Sequence, residues 1–333
     1  MQKISIAIHG GAGTILKEDM TPDLEKAYLQ GLQDALKAGY AILEQGGTSV
    51  NAVAAAVVVL EDNILFNAGR GSVFTKVGLH EMDAAIMNGE DLSAGAVAGV
   101  KNIRNPIKLA AAVMLGSDHV LLSGQGANDF ATKQNIKSEP DEYFFSRFRY
   151  DQWQQMKDSD NYALDHSKQQ PDNLQTEKKF GTVGAVACDI NGNIAAATST
   201  GGMTNKQYGR IGDSPLIGIG TYASNKTCAI SCTGHGEPFI KAVAAYDVSC
   251  LMEYKGMSLE QAMNEVVMNK LPKLEGEGGI IGVDAKGNVA LVFNSAGMYR
   301  GAKSNGGIEF VGIYQDEKKR LDVLVPKVLP KSF

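Results

Sequence analysis

The second half of the chain opens with the stretch GTVGAVA at residues 181–187, whose apolar residues predict a strand directly after a polar segment. Its second residue, Thr182, is a poor nucleophile at its ordinary pKa unless a base lies beside it. The threonine's own α-amino group can act as that base once the chain is cut between Gly181 and Thr182. The stretch therefore suggests a precursor that cleaves itself at this bond. The alternative is an ordinary turn-to-strand transition, since Gly-Thr pairs are common, and other segments decide between the two.

The segment before this stretch, Gln152 to Lys179, is rich in Gln, Lys, Asp, Asn and Ser and has few apolar residues. Such a segment cannot bury enough apolar surface to offset its ordering entropy, so it predicts a mobile linker. Trp153 and Tyr162 are the exceptions and are expected to pack at its near end. The chain is therefore divided into a first part at 1–151, a mobile linker at 152–181 that ends at the cleavage site, and a second part at 182–333.

Composition excludes several classes of protein. Of the 333 residues, 44% are hydrophobic, which suits a packed globular protein of one large domain or two ordinary ones. The net charge of −5 argues against nucleic acid, whose binding needs a concentrated basic surface. No apolar run approaches the roughly 20 residues of a membrane span, so no membrane partner is expected. Met1 to Ile8 alternate as in a strand and lack the apolar core of a signal peptide, which favours a cytoplasmic protein.

All four cysteines lie in the second half, at Cys188, Cys228, Cys232 and Cys250. If Cys228 and Cys232 share a strand, they lie about 13 Å apart and cannot form a disulfide. Neither a CxxC pair nor a histidine at ligand spacing accompanies them, which argues against a metal site made of these side chains. We therefore expect buried free thiols in a reducing cytosol.

Helix and strand signals alternate in the first half. Residues 4–8 predict a strand that ends in the glycine turn at His9-Gly10-Gly11, where the histidine is expected to be structural. Thr21-Pro22 is typical of a helix start, and Gly46-Gly47 ends that helix. The apolar run Val50 to Leu60 predicts a buried helix. Two strands, at 83–87 and 94–100, are predicted to join near Asn88-Gly89, a strong hairpin dipeptide.

In the second half, two similar patterns at 186–196 and 281–291 predict hairpins. Between them, Glu237 to Tyr254 and Ser258 to Lys270 have helical periodicity. Strands, then helices, then strands imply packed sheets with helical layers outside. The tail at 314–333 matches no motif and is expected to pack as a strand or to cover an edge.

Three further segments could place hydroxyl, charged and backbone N–H groups around Thr182. The first, ATSTGGMTNK at 197–206, is a hydroxyl-rich strand end that runs into a turn. In the second, GRIGDSP at 209–215, Arg210 could bind a carboxylate and Asp213 an ammonium group, although the two could equally form a surface ion pair. The third, SCTGHGE at 231–237, exposes backbone N–H groups and a hydroxyl, as an oxyanion hole requires.

Together with HGGAG at 9–13, FNAGRG at 66–71 and GMYR at 297–300, these segments occur in a fixed order along the chain. The chain thereby resembles the plant-type asparaginase and isoaspartyl peptidase family of N-terminal nucleophile hydrolases. The resemblance implies an α+β fold, a four-layer αββα sandwich in which one domain is built from two subunits of a cleaved precursor. It also implies that two such αβ heterodimers pair.

The resemblance assigns roles to particular residues. Thr182 becomes the nucleophile and, through its α-amine, the base, while Thr200 orients its hydroxyl. The Thr233 hydroxyl and the Gly234 N–H would stabilise the oxyanion and contact the substrate, and Asn67 would support the site. The substrate's α-carboxylate falls to Arg210, and its α-ammonium to Asp213 and the carbonyl of Gly236. No cofactor is implied for catalysis, but family members bind sodium through main-chain carbonyls, here those of Leu60, Glu61, Asn63, Phe66, Ala68 and Arg70.

The implied activity is the hydrolysis of β-aspartyl dipeptides and L-asparagine, with release of L-aspartate. Both substrates present the same aspartyl end, so the leaving group stays open. One alternative is a glycosylasparaginase, which usually carries a secretion signal and disulfides. Another is a non-catalytic amino-acid-binding relative, which is expected to have lost Thr182 or its hydroxyl neighbours. No chemical role is expected for the other histidines, His80, His119, His166 and His235.

Overall fold

A computed structural model describes residues 3–158 and 181–317, which stack in four layers. One cluster of buried side chains lies between the first helices and an eight-stranded sheet. A second cluster lies between this sheet and a four-stranded sheet, and a third between the smaller sheet and the later helices. These layers confirm the predicted α+β fold, a four-layer αββα sandwich.

The strands are numbered in chain order through both sheets. The strands of the described residues are β1 Ser5–Gly13, β2 Met82–Asn88, β3 Ala94–Val100, β4 Leu121–Ser123, β5 Thr182–Cys188, β6 Ile194–Thr200, β7 Thr221–Ala223, β8 Cys228–Gly234, β9 Gly278–Asp284, β10 Val289–Phe293, β11 Gly297–Ser304 and β12 Glu309–Tyr314. The large sheet has the order β12-β11-β1-β5-β6-β2-β3-β4, and the small sheet has the order β10-β9-β8-β7. The strand β5 therefore lies inside the large sheet between β1 and β6, and neighbouring strands are antiparallel except for β3 and β4.

The first helix begins and ends where the sequence predicted. Thr21 caps the first helix with its side chain, Pro22 is its first residue, and the helix ends before Gly46, whose φ is +80°. None of the helices in the described residues is long and apolar enough to cross a membrane. They are α1 Pro22–Glu44, α2 Ser49–Asp62, α3 Pro106–Gly116, α4 Gly124–Lys133, α5 Asp141–Phe144, α6 Arg147–Met156, α7 Gly236–Ala242, α8 Ala244–Lys255 and α9 Leu259–Asn264.

The single helix predicted over Glu237–Tyr254 is wrong, because the chain breaks at Val243 into α7 and α8. Val243 has left-handed backbone angles, with φ 49° and ψ 49°. The first N–H groups of α8 bond to the loop before β7 and not to α7, with Ala245 N donating to Ile219 O at 3.1 Å. Hydrogen bonds to a distant loop therefore outweigh the local periodicity.

Two other boundaries also differ from the predictions. Strand β1 does not end in a turn at His9 but continues to Gly13 beside β11, with a bulge between His9 and Gly11. The helix from Ser258 begins with the capping box of Ser258 and Gln261, but α9 changes to a π-helical turn at Glu265–Lys270. The end of β1 is set by its pairing with β11, a distant segment, and the glycines at 10–13 give no sign of this pairing.

The start of the predicted linker is helical, because α6 runs to Met156. Trp153 anchors it by stacking on Phe74, with ring centroids 5.6 Å apart, as expected for an aromatic residue at the near end. Residues 159–180 of the linker, with Tyr162, lie outside the described residues, as do residues 318–333 of the tail. The division into 1–151, 152–181 and 182–333 stays a prediction.

Cys228 and Cys232 lie on β8, and both are free and buried, as is Cys188. Burial raises the pKa of the Cys228 thiol to about 12, so this group stays a thiol at neutral pH. Cys250 is also free but only partly buried, which the sequence did not indicate.

Candidate active site

Thr182 is the first residue of β5 and pairs with Thr200, the last residue of β6. The hydroxyl of Thr182 donates to Thr200 Oγ1 at 3.2 Å. Thr200 in turn donates to the carbonyl oxygen of Gly181 at 3.2 Å and accepts from Gly202 N at 2.9 Å. The sheet register thus places one hydroxyl between the predicted nucleophile and the carbonyl of the predicted cleavage site.

Asn67 bonds to the chain directly after Thr200 and packs against Gly181. Its side-chain nitrogen donates to Gly202 O at 2.7 Å, and its main-chain oxygen accepts from Gly201 N at 3.0 Å. A Cβ atom at Gly181 would lie 2.5 Å from the Cβ of Asn67, so only glycine fits there without displacement. Asn67 thus lies beside the predicted cleavage site, and its supporting role stays a prediction.

The predicted oxyanion residues lie at the end of β8. The Thr233 hydroxyl is fully buried, and its oxygen has no hydrogen-bond partner among the described residues. Gly234, the next residue, has a φ of +143° and shares one cleft with Thr182 and Thr200. An unpaired buried hydroxyl costs free energy unless a ligand satisfies it. The Thr233 hydroxyl, next to the cleft residue Gly234, is thus open to a ligand, and its role at the oxyanion stays a prediction.

Arg210 and Asp213 line the same cleft, as the sequence predicted. Asp213 is buried, and its Oδ2 has no hydrogen-bond partner in the part of the chain that the structure describes. Burial raises the pKa of Asp213 to about 6, against the opposing effect of the Arg210 charge. A Cβ atom at Gly236 would lie 2.9 Å from both Arg210 Nη2 and Asp213 Oδ1, so the glycine keeps this corner open.

The sequence interpretation missed the partner of Arg210. Glu237, in the first turn of α7, accepts from Arg210 Nε at 3.0 Å and from Nη2 at 2.9 Å. His235 Nε2 lies 3.0 Å from the same carboxylate. Burial disfavours the charged form of Glu237, but the contacts with His235 and Arg210 outweigh it and lower its pKa. The acidic last residue of the predicted oxyanion segment at 231–237 was the available signal.

The predicted sodium loop consists of the last turn of α2 and the loop that follows it. A Cβ atom at Gly69, where φ is +51°, would lie 2.6 Å from Glu61 O, and one at Gly71 would collide with Phe66 O. The Glu61 oxygen therefore lies against Gly69 and the Phe66 oxygen against Gly71, and neither position leaves room for a side chain. Hard cations prefer oxygen ligands, but the Phe66 oxygen already accepts from Ala68 N at 2.9 Å. Sodium at this loop, whose other predicted ligands are Leu60, Asn63, Ala68 and Arg70, stays a prediction.

The buried side chain of Glu61 ties this loop to the active-site strand. Its Oε1 accepts from Ser199 Oγ at 2.7 Å and from Ile107 N at 2.9 Å. Burial raises the pKa of Glu61 to about 8, although both hydrogen bonds oppose the shift. Because Ser199 directly precedes Thr200, the contact supports the strand end that holds the nucleophile.

The chain is similar to known proteins over almost its whole length. A family model described as "Asparaginase" matches residues 1–313. An isoaspartyl peptidase of Salmonella typhimurium is 50% identical over 316 residues, which cover 95% of this chain and 100% of the relative. An isoaspartyl peptidase of Escherichia coli is 49% identical, with 95% and 98% covered. An isoaspartyl peptidase/L-asparaginase of Xenopus laevis is 41% identical over 313 residues, with 94% and 96% covered.

Proposed function

The chain belongs to the asparaginase family, and from this membership and the geometry at Thr182 we propose that it is an autocleaving threonine hydrolase. Its substrates are β-aspartyl dipeptides and L-asparagine, and its product is L-aspartate. The observation that carries the proposal is the placement of Thr182, Thr200 and Gly181 in one hydrogen-bonded group beside the cleft of Arg210 and Asp213.

Self-cleavage uses the contacts around Thr200. The Thr182 hydroxyl attacks the Gly181 carbonyl carbon, and the peptide C–N bond breaks as the Thr182 nitrogen takes up a proton. The product is an ester between Gly181 and the Thr182 side chain, which water hydrolyses to a free carboxylate and a free hydroxyl. Thr200 acts on both partners, since its hydroxyl contacts the attacking oxygen and the attacked carbonyl.

Turnover then uses the newly freed α-amine of Thr182. An α-amine has a pKa of about 8, so part of it is unprotonated at neutral pH and can take the hydroxyl proton. The Thr182 oxygen attacks the β-carbonyl of the aspartyl group, and ammonia or an amine leaves with that proton. Water hydrolyses the resulting ester and releases L-aspartate.

In this proposal, separate groups bind the oxyanion and the two charged ends of the aspartyl group. The Thr233 hydroxyl, which lacks another partner among the described residues, and the Gly234 N–H would bind the oxyanion. Arg210 would bind the α-carboxylate through the N–H groups that Glu237 leaves free. Asp213 and the Gly236 carbonyl would bind the α-ammonium.

The assembly, ion and compartment are also parts of the proposal. Two αβ heterodimers would pair, and sodium would be held by the carbonyls of the loop at 60–70, where it would fix the loop that carries Asn67. Catalysis itself would need no cofactor. The free thiols of Cys188, Cys228 and Cys232 favour the cytoplasm, where thiols stay reduced.

The alternatives have less support. The compared relatives carry the names isoaspartyl peptidase and isoaspartyl peptidase/L-asparaginase, which does not favour a glycosylasparaginase. A non-catalytic binding protein would not need the hydroxyl pair of Thr182 and Thr200.

A substrate panel tests the proposal. Purified, cleaved protein is incubated with β-aspartyl-leucine, L-asparagine, N-acetylglucosaminyl-asparagine and, as a matched control, α-aspartyl-leucine, and free aspartate is measured. We expect release from the first two substrates only. Release from the sugar-linked substrate alone would assign the glycosylasparaginase activity, and release from none would contradict the proposal. Exchange of sodium for a bulky organic cation should lower the melting temperature, whereas an unchanged melting temperature would argue against the ion.

A further inference from the structure

His9 contacts Thr182 at its main-chain carbonyl, whereas the predicted cleavage site is at its main-chain nitrogen. Its Nδ1 lies 2.8 Å from the carbonyl oxygen of Thr182, and its Nε2 lies 2.8 Å from Ser231 Oγ. His9 is fully buried on β1 of the large sheet, whereas Ser231 is on β8 of the small sheet. The imidazole therefore connects Thr182 to the second sheet through the core.

Two threonines extend this contact. Thr198 Oγ1 lies 2.7 Å from Ser231 Oγ, and Thr221 Oγ1 donates to Thr198 Oγ1 at 2.6 Å. The sheet register explains the arrangement, because His9 and Thr198 both pair with Gly184, and Thr221 pairs with Ser231. The hydroxyls and the imidazole thus form one buried row between the two sheets.

The chemistry of the groups and the lengths of their contacts together indicate the direction of the hydrogen bonds in this row. A carbonyl oxygen only accepts, so His9 Nδ1 carries the hydrogen. Burial lowers the pKa of His9 to about 3, although the bond to Thr182 opposes the shift, so the ring is neutral and Nε2 accepts. Each hydroxyl has one hydrogen to donate. Ser231 donates to His9 Nε2, so Thr198 donates to Ser231 and Thr221 donates to Thr198. Two carbonyl oxygens compete for these hydrogens, Ser214 O for that of Thr221 and Gly220 O for that of Thr198. Their distances of 3.0 and 3.3 Å are longer than the contacts within the row.

The absence of a side chain at Gly184 leaves the space that this row occupies. A Cβ atom at Gly184 would collide with both Ser231 Oγ and His9 Nε2. Glycine is therefore required in the middle of β5, although a β-branched residue would otherwise suit a central strand better.

We propose that His9 is a positioning residue for Thr182, which holds the nucleophile's carbonyl through the Nδ1–H that the hydroxyl row maintains. This inference rests on the proposed function. Cleavage removes the covalent restraint at the nitrogen of Thr182, so the residue is then held by its carbonyl side and its hydroxyl contact. His9 touches neither the cleaved bond nor the substrate groups, and it acts only through the orientation of Thr182.

Two substitutions at His9 separate positioning from packing. Asn in place of His9 puts an amide donor near the position of Nδ1, whereas Gln puts its amide near Nε2 and leaves the Thr182 carbonyl without a donor. With rates expressed per free Thr182 N-terminus, we expect His9→Gln to lower kcat by about 10²-fold, the cost of a small misplacement of a reacting group. His9→Asn should recover most of this loss, and KM should stay within about twofold in both variants because neither alters the substrate contacts.

The first-order rate of self-cleavage serves as a second readout for any variant that matures slowly. We expect this rate to be highest in the wild type, lower in His9→Asn and lowest in His9→Gln. Melting temperatures of the two variants should be similar. Equal kcat losses in Asn and Gln, or losses that only follow the melting temperatures, would show that His9 is merely structural.

The tautomer provides an independent test. In protein with ¹⁵N-labelled histidine, His9→Asn identifies the His9 signal by its absence. We expect the neutral Nδ1–H tautomer without titration between pH 5 and 8. An Nε2–H tautomer or a protonated ring would overturn the inference. If the wild type released no aspartate, the proposed function would fail, whereas the tautomer and the self-cleavage rates would still decide the role of His9.

Discussion

The guanidinium of Arg210 is held by the carboxylate of Glu237, with Nε and Nη2 at 3.0 and 2.9 Å from its two oxygens. A guanidinium has five N–H groups, so this fork-to-fork pair leaves the outer edge of Arg210 free for a second carboxylate. The side chain of Glu237 is 41% exposed, so the ion pair itself contributes little to stability. Its main effect is therefore to keep Arg210 in the orientation that a substrate carboxylate needs.

Loss of Glu237 should therefore weaken substrate binding more than it affects chemistry. For Glu237→Ala we expect KM to rise about tenfold, near the upper cost of immobilising one flexible side chain. Glu237→Gln, the matched control, keeps one acceptor and should have a smaller effect, with kcat within about twofold in both variants. Steady-state kinetics with L-asparagine checks this. A lower KM in the Ala variant would mean that Glu237 competes with the substrate for Arg210.

The pH dependence of kcat/KM should report Asp213. This carboxyl binds the substrate ammonium only when ionised, and its pKa is raised to about 6 by burial. The Thr182 α-amine, with an ordinary pKa of about 8, must be unprotonated, so activity already falls as pH drops below that value. As pH falls further through 6, protonation of Asp213 should steepen the logarithmic slope from about one to about two. Asp213→Asn should be weakly active and lack the second slope, whereas an unchanged profile in this variant would exclude Asp213.

Thr200 should matter most to self-cleavage. Its hydroxyl contacts both the Thr182 hydroxyl and the Gly181 carbonyl, so Thr200→Ala removes the group that aligns them. We expect the first-order cleavage rate to fall by about 10²-fold. Thr200→Ser retains the hydroxyl and should stay within about tenfold of the wild type. Gel densitometry over time measures both rates, and rapid cleavage of the Ala variant would contradict the assigned role.

A methyl group at Gly184 should disrupt the core, because it would collide with His9 and Ser231. Overpacking of this kind typically costs about 1–3 kcal/mol of unfolding free energy. Gly126 in α4 is a matched control, since a Cβ atom there meets nothing within 4 Å. Gly126→Ala should stabilise the helix by about 0.5–1 kcal/mol. Denaturant unfolding of both variants checks the contrast, and equal stabilities would argue against a tightly packed row at His9.

Much of the site was predictable because its short segments, each a weak signal alone, occur in the fixed order of a known family. The Gly181-Thr182 junction, the hydroxyl-rich end of β6 and the loop of Arg210 and Asp213 lie together as expected. The cap at Thr21 also follows from local chemistry. The strands β2 and β3 form the predicted hairpin, but they are joined by the longer loop 89–93, in which Leu92 and not Gly89 has a positive φ.

The missed features depend on contacts between distant segments. His9 meets Ser231 across 222 positions of sequence, and only the stacking of two sheets brings them together. The break at Val243 likewise depends on hydrogen bonds from the loop before β7, whereas the sequence around it has unbroken helical periodicity. Glu237 was visible as a residue, but its pairing with Arg210 depends on how α7 follows β8.

The most direct test of the account is denaturing mass spectrometry of the purified wild type and Thr182→Ala proteins. The wild type should give two fragments, the second beginning at Thr182. Thr182→Ser, which keeps a hydroxyl, should also give two fragments. Thr182→Ala should remain one chain of 333 residues. Two fragments from Thr182→Ala, or an intact wild type that releases aspartate, would contradict the claim that Thr182 cuts its own chain and then serves as the nucleophile.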